Sequence, residues 1–455
     1  MTSPNFPLEI TRDTVVAPAT PTGYSGLAVI RLGGETARNL AVQVFVPAEN
    51  IISVEAGRAY HGRVVDPATG ETIDDAVATF YFGPRSYTGE DLVEISVHGN
   101  PLIVERVVNI FITLGARIAD RGEFTRRALL NNKLDLIQAE AVLDTINASC
   151  DKSRQIAIAQ YEGRLSNRIL SLQKGVVNLL SIVEADIDFP EEETRLKPDA
   201  FAEQVLVIRN EIDELLANAD AGVKIRDGYR VAILGRANVG KSTLFNRLLG
   251  YDRAIVHEVP GTTRDYLEEG VPIGGYYVRL LDTAGLLPAA TGADQLAGDR
   301  SRRLAVDADL VILVFDGSEP LNGQDMQLFG LVQEKPRILV VNKTDLNRQL
   351  KGSEFLADSL KISAKTGENI SLLNARIAET LRPKIVKGDL LLTRTRHIQA
   401  LKKVRDLINQ ARIAPHLEMQ AYELHAALDL LGELTGRVLR KELLDKIFDE
   451  FCIGK

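Results

Sequence analysis

Residues 235–242 read Gly-Arg-Ala-Asn-Val-Gly-Lys-Ser and fit G-x-x-x-x-G-K-[ST]. They follow the apolar run 230–234 and precede a helix-forming stretch. In that setting the glycines Gly235 and Gly240 let the backbone curl so that its N–H groups face phosphates. Lys241 then reaches the outer phosphate oxygens, and Ser242 offers a hydroxyl to Mg²⁺.

Three further groups belong to the same chemistry. Asp282-Thr283-Ala284-Gly285 ends an apolar run, where the carboxylate can hold Mg²⁺ through water and the Gly285 N–H can sense a γ-phosphate. Asn342-Lys343-Thr344-Asp345 ends another, and the Asp345 carboxylate can accept two N–H bonds from a guanine edge. Adenine would leave that charge unpaired. Ser363-Ala364-Lys365 ends a third, where a backbone N–H can read guanine O6. The set specifies GTP over ATP. Between these groups lies Gly261-Thr262-Thr263-Arg264-Asp265, in which Thr263 is the natural second Mg²⁺ hydroxyl. The residue after Gly285 is Leu286, which cannot orient an attacking water as a glutamine would. Hydrolysis must take its polar help from elsewhere.

The elements that position these residues follow from periodicity. Short apolar runs at 230–234, 278–281, 310–315, 338–341 and 360–363 alternate with helical stretches at βαβ spacing, the pattern of a doubly wound sheet. Before it, residues 13–120 alternate β-type runs (27–32, 76–82, 92–97) with turn clusters and one helical stretch at 103–114, an α+β pattern. From 123 to 218 the pattern is helical. Leu129, Leu130, Leu134, Ile137, Ala141 and Val142 are expected on one helix face, and Pro190 and Pro198 break the stretch. After Pro383 the helical pattern returns. The expected architecture is multi-domain: an α+β domain at 1–122, a discontinuous all-α domain at 123–222 and 384–455, and an α/β P-loop GTPase domain at 223–383 inserted between its halves.

Composition bounds the rest. With 45% hydrophobic and 25% charged residues, the 455-residue chain reads as an ordinary globular protein of about three domains. A net charge of −8 excludes a uniformly basic nucleic-acid coat. Two distant cysteines, Cys150 and Cys452, give no disulfide framework. The apolar runs fall far short of the ~20 residues a membrane span needs, and the start Met-Thr-Ser-Pro-Asn-Phe-Pro carries no targeting pattern. The expectation is a cytoplasmic protein with no membrane partner. Cys150 reads as core. Within the acidic chain, Lys384, Lys387, Arg394, Arg396, Lys402, Lys403, Arg405 and Arg412 face only Asp389 and Asp406, which fits either a phosphate-facing stripe for a nucleic acid or a solvated helix face.

Three stretches carry a resemblance. They are Gly26-Leu27-Ala28-Val29-Ile30-Arg31, then Gly122-Glu123-Phe124-Thr125-Arg126-Arg127-Ala128 running on through Lys133-Leu134-Asp135-Leu136, and the terminal Phe451-Cys452-Ile453-Gly454-Lys455. With the nucleotide motifs, they make the chain resemble the MnmE (TrmE) family of tRNA modification GTPases along its whole length. The resemblance implies a folate-binding N-terminal domain through which the protein forms a homodimer. It also implies a heterotetramer with an FAD-dependent partner, MnmG, that modifies C5 of the wobble uridine of certain tRNAs. The one-carbon unit would come from 5,10-methylene-tetrahydrofolate or 5-formyl-tetrahydrofolate.

Carried over by position, the folate site would use Arg31, Glu94, Lys133 and Lys455. On spacing alone Cys452, expected in a helix-like run, reads as a packing residue; the resemblance implies instead that it would reach that pocket as a thiolate for nucleophilic or acid–base work. K⁺ would be held by Asn238 and by carbonyls of His257, Val259 and Thr262, switched on by pairing of GTPase domains. The nucleotide-contacting set would include Val239, Thr243, Glu258, Pro260 and Gly261. The family's water-positioning glutamate is replaced here by Gln295 or the adjacent Asp294. An RNA-binding GTPase switch explains the nucleotide motifs equally well, but not the terminal Cys-Ile-Gly-Lys; a folate-binding regulatory module does not explain the complete nucleotide site.

Overall fold

The structure, a computed structural model, describes all residues except 1–12, 50–52, 190–197, 252–266, 283–301, 303, 348, 350–353, 384–390 and 439–440. The chain divides into two compact units. Unit 1 comprises Met1–Leu143, Ala159–Ile208 and Lys403–Lys455; unit 2 comprises Asp144–Ile158 and Arg209–Lys402.

Unit 1 is built on a seven-stranded sheet of order β3-β4-β5-β6-β2-β1-β7, formed by β1 (Val15–Pro18), β2 (Ser25–Gly33), β3 (Phe45–Pro47), β4 (Ala59–Val65), β5 (Thr72–Tyr81), β6 (Leu92–Gly99) and β7 (Arg117–Ile118). All pairings are antiparallel except β1 with β7. The period of two sorts the side chains. Val16, Ile30, Leu32, Val93 and Ile95 face a core completed by α1 (Ala37–Val44) and α2 (Pro101–Thr113). Val15, Ala17 and Leu92 face the other way, against Ala119 and Phe124. Arg31 and Glu94 stand between core-facing neighbours on directly paired strands, so the register sends both to that second face.

The expected single helix face from Leu129 to Val142 is interrupted. Helix α3 (Glu123–Leu130) ends at a turn, with Asn132 at φ 56, and α4 (Leu136–Ile146) begins beyond it. The break has a local cause. Asn131 donates its side-chain N–H to the Thr88 carbonyl at 2.7 Å, while Asp135 and Gln138 exchange side-chain and backbone hydrogen bonds at 2.8 and 3.0 Å. That reciprocal pair starts a new helix. Leu129, Leu136, Ala139 and Leu143 still share a core, because Leu444, Ile447 and Phe448 of α14 (Lys441–Phe448) and Phe451 fill in around them. Helix α6 (Arg164–Asp188) buries Leu165, Ile169, Leu172, Val176, Leu179 and Val183 at three- and four-residue steps, packed on α13 (Leu417–Thr435).

Unit 2 contains a six-stranded sheet of order β13-β12-β11-β8-β10-β9. Its strands are β8 (Tyr229–Leu234), β9 (Leu267–Ile273), β10 (Tyr276–Asp282), β11 (Leu310–Asp316), β12 (Arg337–Asn342) and β13 (Leu360–Lys361). It is parallel apart from β9, which pairs antiparallel with β10. Val231, Ile233, Ile312 and Val314 enter one core; Ala232, Leu234, Val311, Leu313 and Phe315 enter the other. Strands buried on both faces explain the near-continuous apolar runs. Helices α9 (Lys241–Tyr251), α10 (Gly323–Leu331) and α11 (Ile370–Leu381) follow β8, β11 and β13. Strand β8 lies between β10 and β11, so the turn after it opens where strand order reverses, the usual ligand position in such sheets.

Candidate functional site

In unit 2 the Gly235–Lys241 turn joins β8 to α9, and its backbone has to curl. Asn238 (φ 63) and Gly240 (φ 96) both lie in the left-handed region. At Gly240 a Cβ would come within 2.3 Å of the Asn342 side chain, so glycine is required twice over. Asn342 holds two loops together: its Nδ2 donates to the Val239 carbonyl at 2.8 Å and its Oδ1 accepts from the Ala364 N–H at 2.9 Å. Lys241 Nζ donates to the Arg236 carbonyl at 2.7 Å. Ser242 and Thr243 are exposed on the first turn of α9.

Lys343 has φ 66, a strained backbone for a side chain of that size. Its ammonium pairs with buried Asp316. Burial pushes the Asp316 carboxyl up, but the bonds from Lys343 and Ser318 outweigh it and leave the pKa below the usual carboxylate range. Asp345 is exposed and accepts from the Ser363 hydroxyl at 2.6 Å, which likewise lowers its pKa. Thr344 donates to Glu368 at 2.8 Å. Glu368 thereby joins the two base-side loops, a contact whose residue types give no sequence signal. The backbone of Asp282 ends β10 beside Ile233 of β8. The structure thus brings Gly235, Asn238, Val239, Gly240, Lys241, Ser242, Thr243, Asn342, Lys343, Asp345, Ser363, Ala364 and Lys365 to one end of the sheet. His257, Glu258, Val259, Pro260, Gly261, Thr262, Thr263, Thr283, Ala284, Gly285, Asp294 and Gln295 lie outside the described residues.

A second cluster stands on the outward face of the sheet in unit 1. Arg31 donates from Nε (2.9 Å) and Nη2 (2.6 Å) to Glu94 Oε1, and from Nη1 (3.0 Å) to the Gly454 carbonyl. Its guanidinium lies 5.8 Å from the Tyr87 ring centre and 5.4 Å from that of Phe124. The terminal segment is not helical, contrary to the sequence expectation. Helix α14 stops at Phe448, and Ile453 forms an isolated antiparallel bridge with Arg121. Two more backbone bonds seat the segment, Gly122 N–H to the Cys452 carbonyl at 3.3 Å and Phe124 N–H to the Lys455 carbonyl at 3.1 Å. Gly454 has φ 91, and a Cβ there would meet the Pro18 carbonyl at 2.0 Å. This position requires glycine.

Burial and the neighbouring Arg31 lower the Lys455 pKa below the ordinary lysine value, against the opposing pull of Glu94 and Cys452. Cys452 is exposed, whereas Cys150 is buried beside Ser153, as expected of a core cysteine. Lys133 does not join this cluster directly: its Nζ donates to the Pro84 carbonyl at 3.0 Å.

Helix α3 also carries a partly buried ionic network that sequence reasoning missed. Arg127 is 4% exposed and meets Glu123 (2.8 Å), Asp13 (2.8 Å) and Glu90 (3.1 Å). Arg117 meets Glu123 at 2.7 Å. Burial alone would raise the Glu123 pKa, but bonds from Arg117, the Asp120 N–H and Arg127 bring it below 4.5. The i,i+4 spacing of Glu123 and Arg127 was the available signal, though it reads as an ordinary surface pair.

A family described as "GTP-binding protein TrmE N-terminus" matches residues 14–133, and one described as "MnmE helical domain" matches residues 136–452. The tRNA modification GTPase MnmE of Aquifex aeolicus is 38% identical over 98% of this chain and 100% of its own. The chain belongs to the MnmE family of tRNA modification GTPases. The protein of the same description from Syntrophus aciditrophicus is also 38% identical, over 98% of this chain and 100% of its own. Among solved structures, the G domain of the T. maritima FeoB iron transporter is 29% identical over 34% of this chain and 99% of that one. The TM-score of that match is 0.26.

As a member of the MnmE family the protein binds GTP and is a GTPase. In the basic stretch after Pro383, Arg394 departs from both surface readings. Arg394 is buried and bonded to Asp144 through Nε (3.1 Å) and Nη2 (2.7 Å), with Arg226 on the same carboxylate at 3.0 Å. It serves unit 2 internally and cannot face a phosphate. Lys402, Lys403 and Arg412 are exposed, Arg396 and Arg405 half-buried, and Lys384 and Lys387 lie outside the described residues. Among the described residues no helix is long and apolar enough to cross a membrane.

Proposed function

We propose that GTP hydrolysis by this protein serves a tetrahydrofolate-dependent modification of tRNA. With an FAD-dependent MnmG-type partner it adds an aminomethyl-type group, carboxymethylaminomethyl when glycine is the amine, to C5 of the wobble uridine. The observation that carries this reading is the seating of the Cys452–Lys455 segment against Arg31 and Glu94, a feature that a simple GTPase switch does not need. On this reading residues 1–122 would serve folate binding and homodimerisation, 123–222 and 384–455 would form the helical domain, and 223–383 would bind GTP.

Arg31 already has three donors engaged, so it fixes Glu94 and the terminal segment and leaves folate carboxylates to Lys455 and Lys133. The free edge of Glu94 suits the N–H groups of a pterin. A carboxylate ligand favours protonated Lys455, whose pKa is lowered before binding. Folate affinity therefore declines as pH rises through that lowered value, and binding takes up protons there. Titration calorimetry in buffers of different ionisation enthalpy measures this uptake.

The residue types at these positions suit the two cations. Mg²⁺ would be held by Ser242 and Thr263 with Asp282 beside it, and K⁺ by Asn238 with the carbonyls of His257, Val259 and Thr262. K⁺ supplies positive charge near the phosphates when GTPase domains pair. Gln295 or Asp294 orients the attacking water by hydrogen bonding, in place of the family's glutamate. Unchanged K⁺-stimulated turnover after Ala substitution at both positions would remove that assignment. Mass spectrometry of wobble uridine in tRNA from a strain lacking this protein tests the whole reading. Loss of the C5 group is expected, and unchanged modification returns the protein to an RNA-associated switch.

A further inference from the structure

Arg247 stands on α9, the helix that opens with Lys241 and Ser242, yet its side chain is directed to the loop after β13. Its Nε donates to the Ala364 carbonyl at 3.1 Å and its Nη2 to the Lys365 carbonyl at 2.5 Å. Two successive carbonyls turned toward one guanidinium fix two peptide planes. Because a trans peptide sets C=O and N–H on opposite sides, the Lys365 N–H must point away from Arg247. The preceding N–H, that of Ala364, is engaged by Asn342 Oδ1. Among the described residues the Lys365 N–H has no protein acceptor. On the same loop Ser363 orients Asp345. The loops after β12 and β13, joined through that hydroxyl, thus offer a carboxylate and an outward N–H respectively, and the second is oriented from α9.

We propose that Arg247 is a specificity-determining positioning residue, which holds the Ala364–Lys365 peptide so that the Lys365 N–H donates to guanine O6. The proposal rests on the guanine-binding reading of Asp345. It gives separate sources for the two halves of base recognition: Asp345 reads the N1–H and 2-amino group, and Arg247, through the backbone, sets the reading of O6. A charged donor suits this task because its bonds to carbonyls are short and directional.

Calorimetric binding of GDP, 6-thio-GDP and IDP to the full-length protein separates the two. Sulfur at position 6 weakens only the O6 acceptor, and IDP lacks only the 2-amino group. Wild-type protein is expected to favour GDP over both. Arg247→Ala should reduce the preference for GDP over 6-thio-GDP by about tenfold, the size of one lost hydrogen bond, and leave the preference over IDP intact. Arg247→Lys, which keeps one donor, should fall between and carries the same test if the alanine variant does not fold. Equal loss of affinity for all three ligands would overturn the proposal, since it would show only a loosened loop. So would an unchanged GDP/6-thio-GDP ratio, or a wild-type protein indifferent to the sulfur. In the same assay Asp345→Asn should shift preference toward XDP; if it does not, the guanine reading itself fails, and the proposal with it.

Discussion

The nucleotide loops of unit 2 and the terminal-segment seat of unit 1 are built on opposite plans. Each nucleotide loop is a short contiguous motif at a strand end, and much of its chemistry comes from backbone groups whose direction is set by left-handed turns such as Asn238 and Gly240. The seat in unit 1 is assembled from residues 423 positions apart, Arg31 and Gly454, with backbone bonds from Gly122 and Phe124, and Glu123 of the adjoining helix α3 belongs to a separate buried ionic network. A motif-based site tolerates almost any surrounding core provided the strand ends align. A seat assembled across such sequence distance depends on each of the few contacts that hold it.

The largest effect expected from that contrast is chemical. Lys241→Ala should slow GTP hydrolysis by roughly 10²–10³-fold, the usual cost of deleting a preorganised transition-state donor. Single-turnover assays measure it, and folate binding to the same protein should be unchanged. A folate-binding loss of similar size would blur the division.

Glu123→Gln comes next, and its effect is on stability. It leaves Arg127 and Arg117 without their shared carboxylate, at a cost of about 3–5 kcal/mol, read from urea unfolding followed by a probe in unit 1. Acid should reproduce it in wild-type protein. The Glu123 pKa is lower folded than unfolded, so its contribution is complete above about 4.5 and disappears as pH falls through the lower folded value. Asp316 imposes the same sign on unit 2.

Gly454→Ala is the finest probe. Left-handed backbone and the Pro18 carbonyl together make a methyl cost about 1–3 kcal/mol locally. Folate affinity should therefore fall while GTP turnover stays at the wild-type level.

Legibility in the sequence followed the same contrast. The nucleotide motifs and the doubly wound sheet could be read because contiguous patterns and two-sided apolar strands leave local marks. The helix break at Asn131–Asp135 was missed because the apolar spacing continued across it, while the terminating contacts reached Thr88, 43 residues away. The Asp135-x-x-Gln138 pair was the local sign of a new start. Arg394 counted as surface charge because nothing nearby in sequence announces Asp144, 250 residues earlier. The terminal segment looked helical for lack of a breaker between Phe448 and Gly454; its non-helical course is held by bonding to Gly122 and Phe124.

The central claim is that GTP hydrolysis and a folate-dependent reaction at the terminal segment are separate chemistries of one protein. Cys452→Ser tests it most directly, with K⁺-stimulated GTP turnover and wobble-uridine content both measured for the full chain. The account predicts wild-type turnover and loss of the C5 modification. Retained modification, or loss of both together, would contradict it.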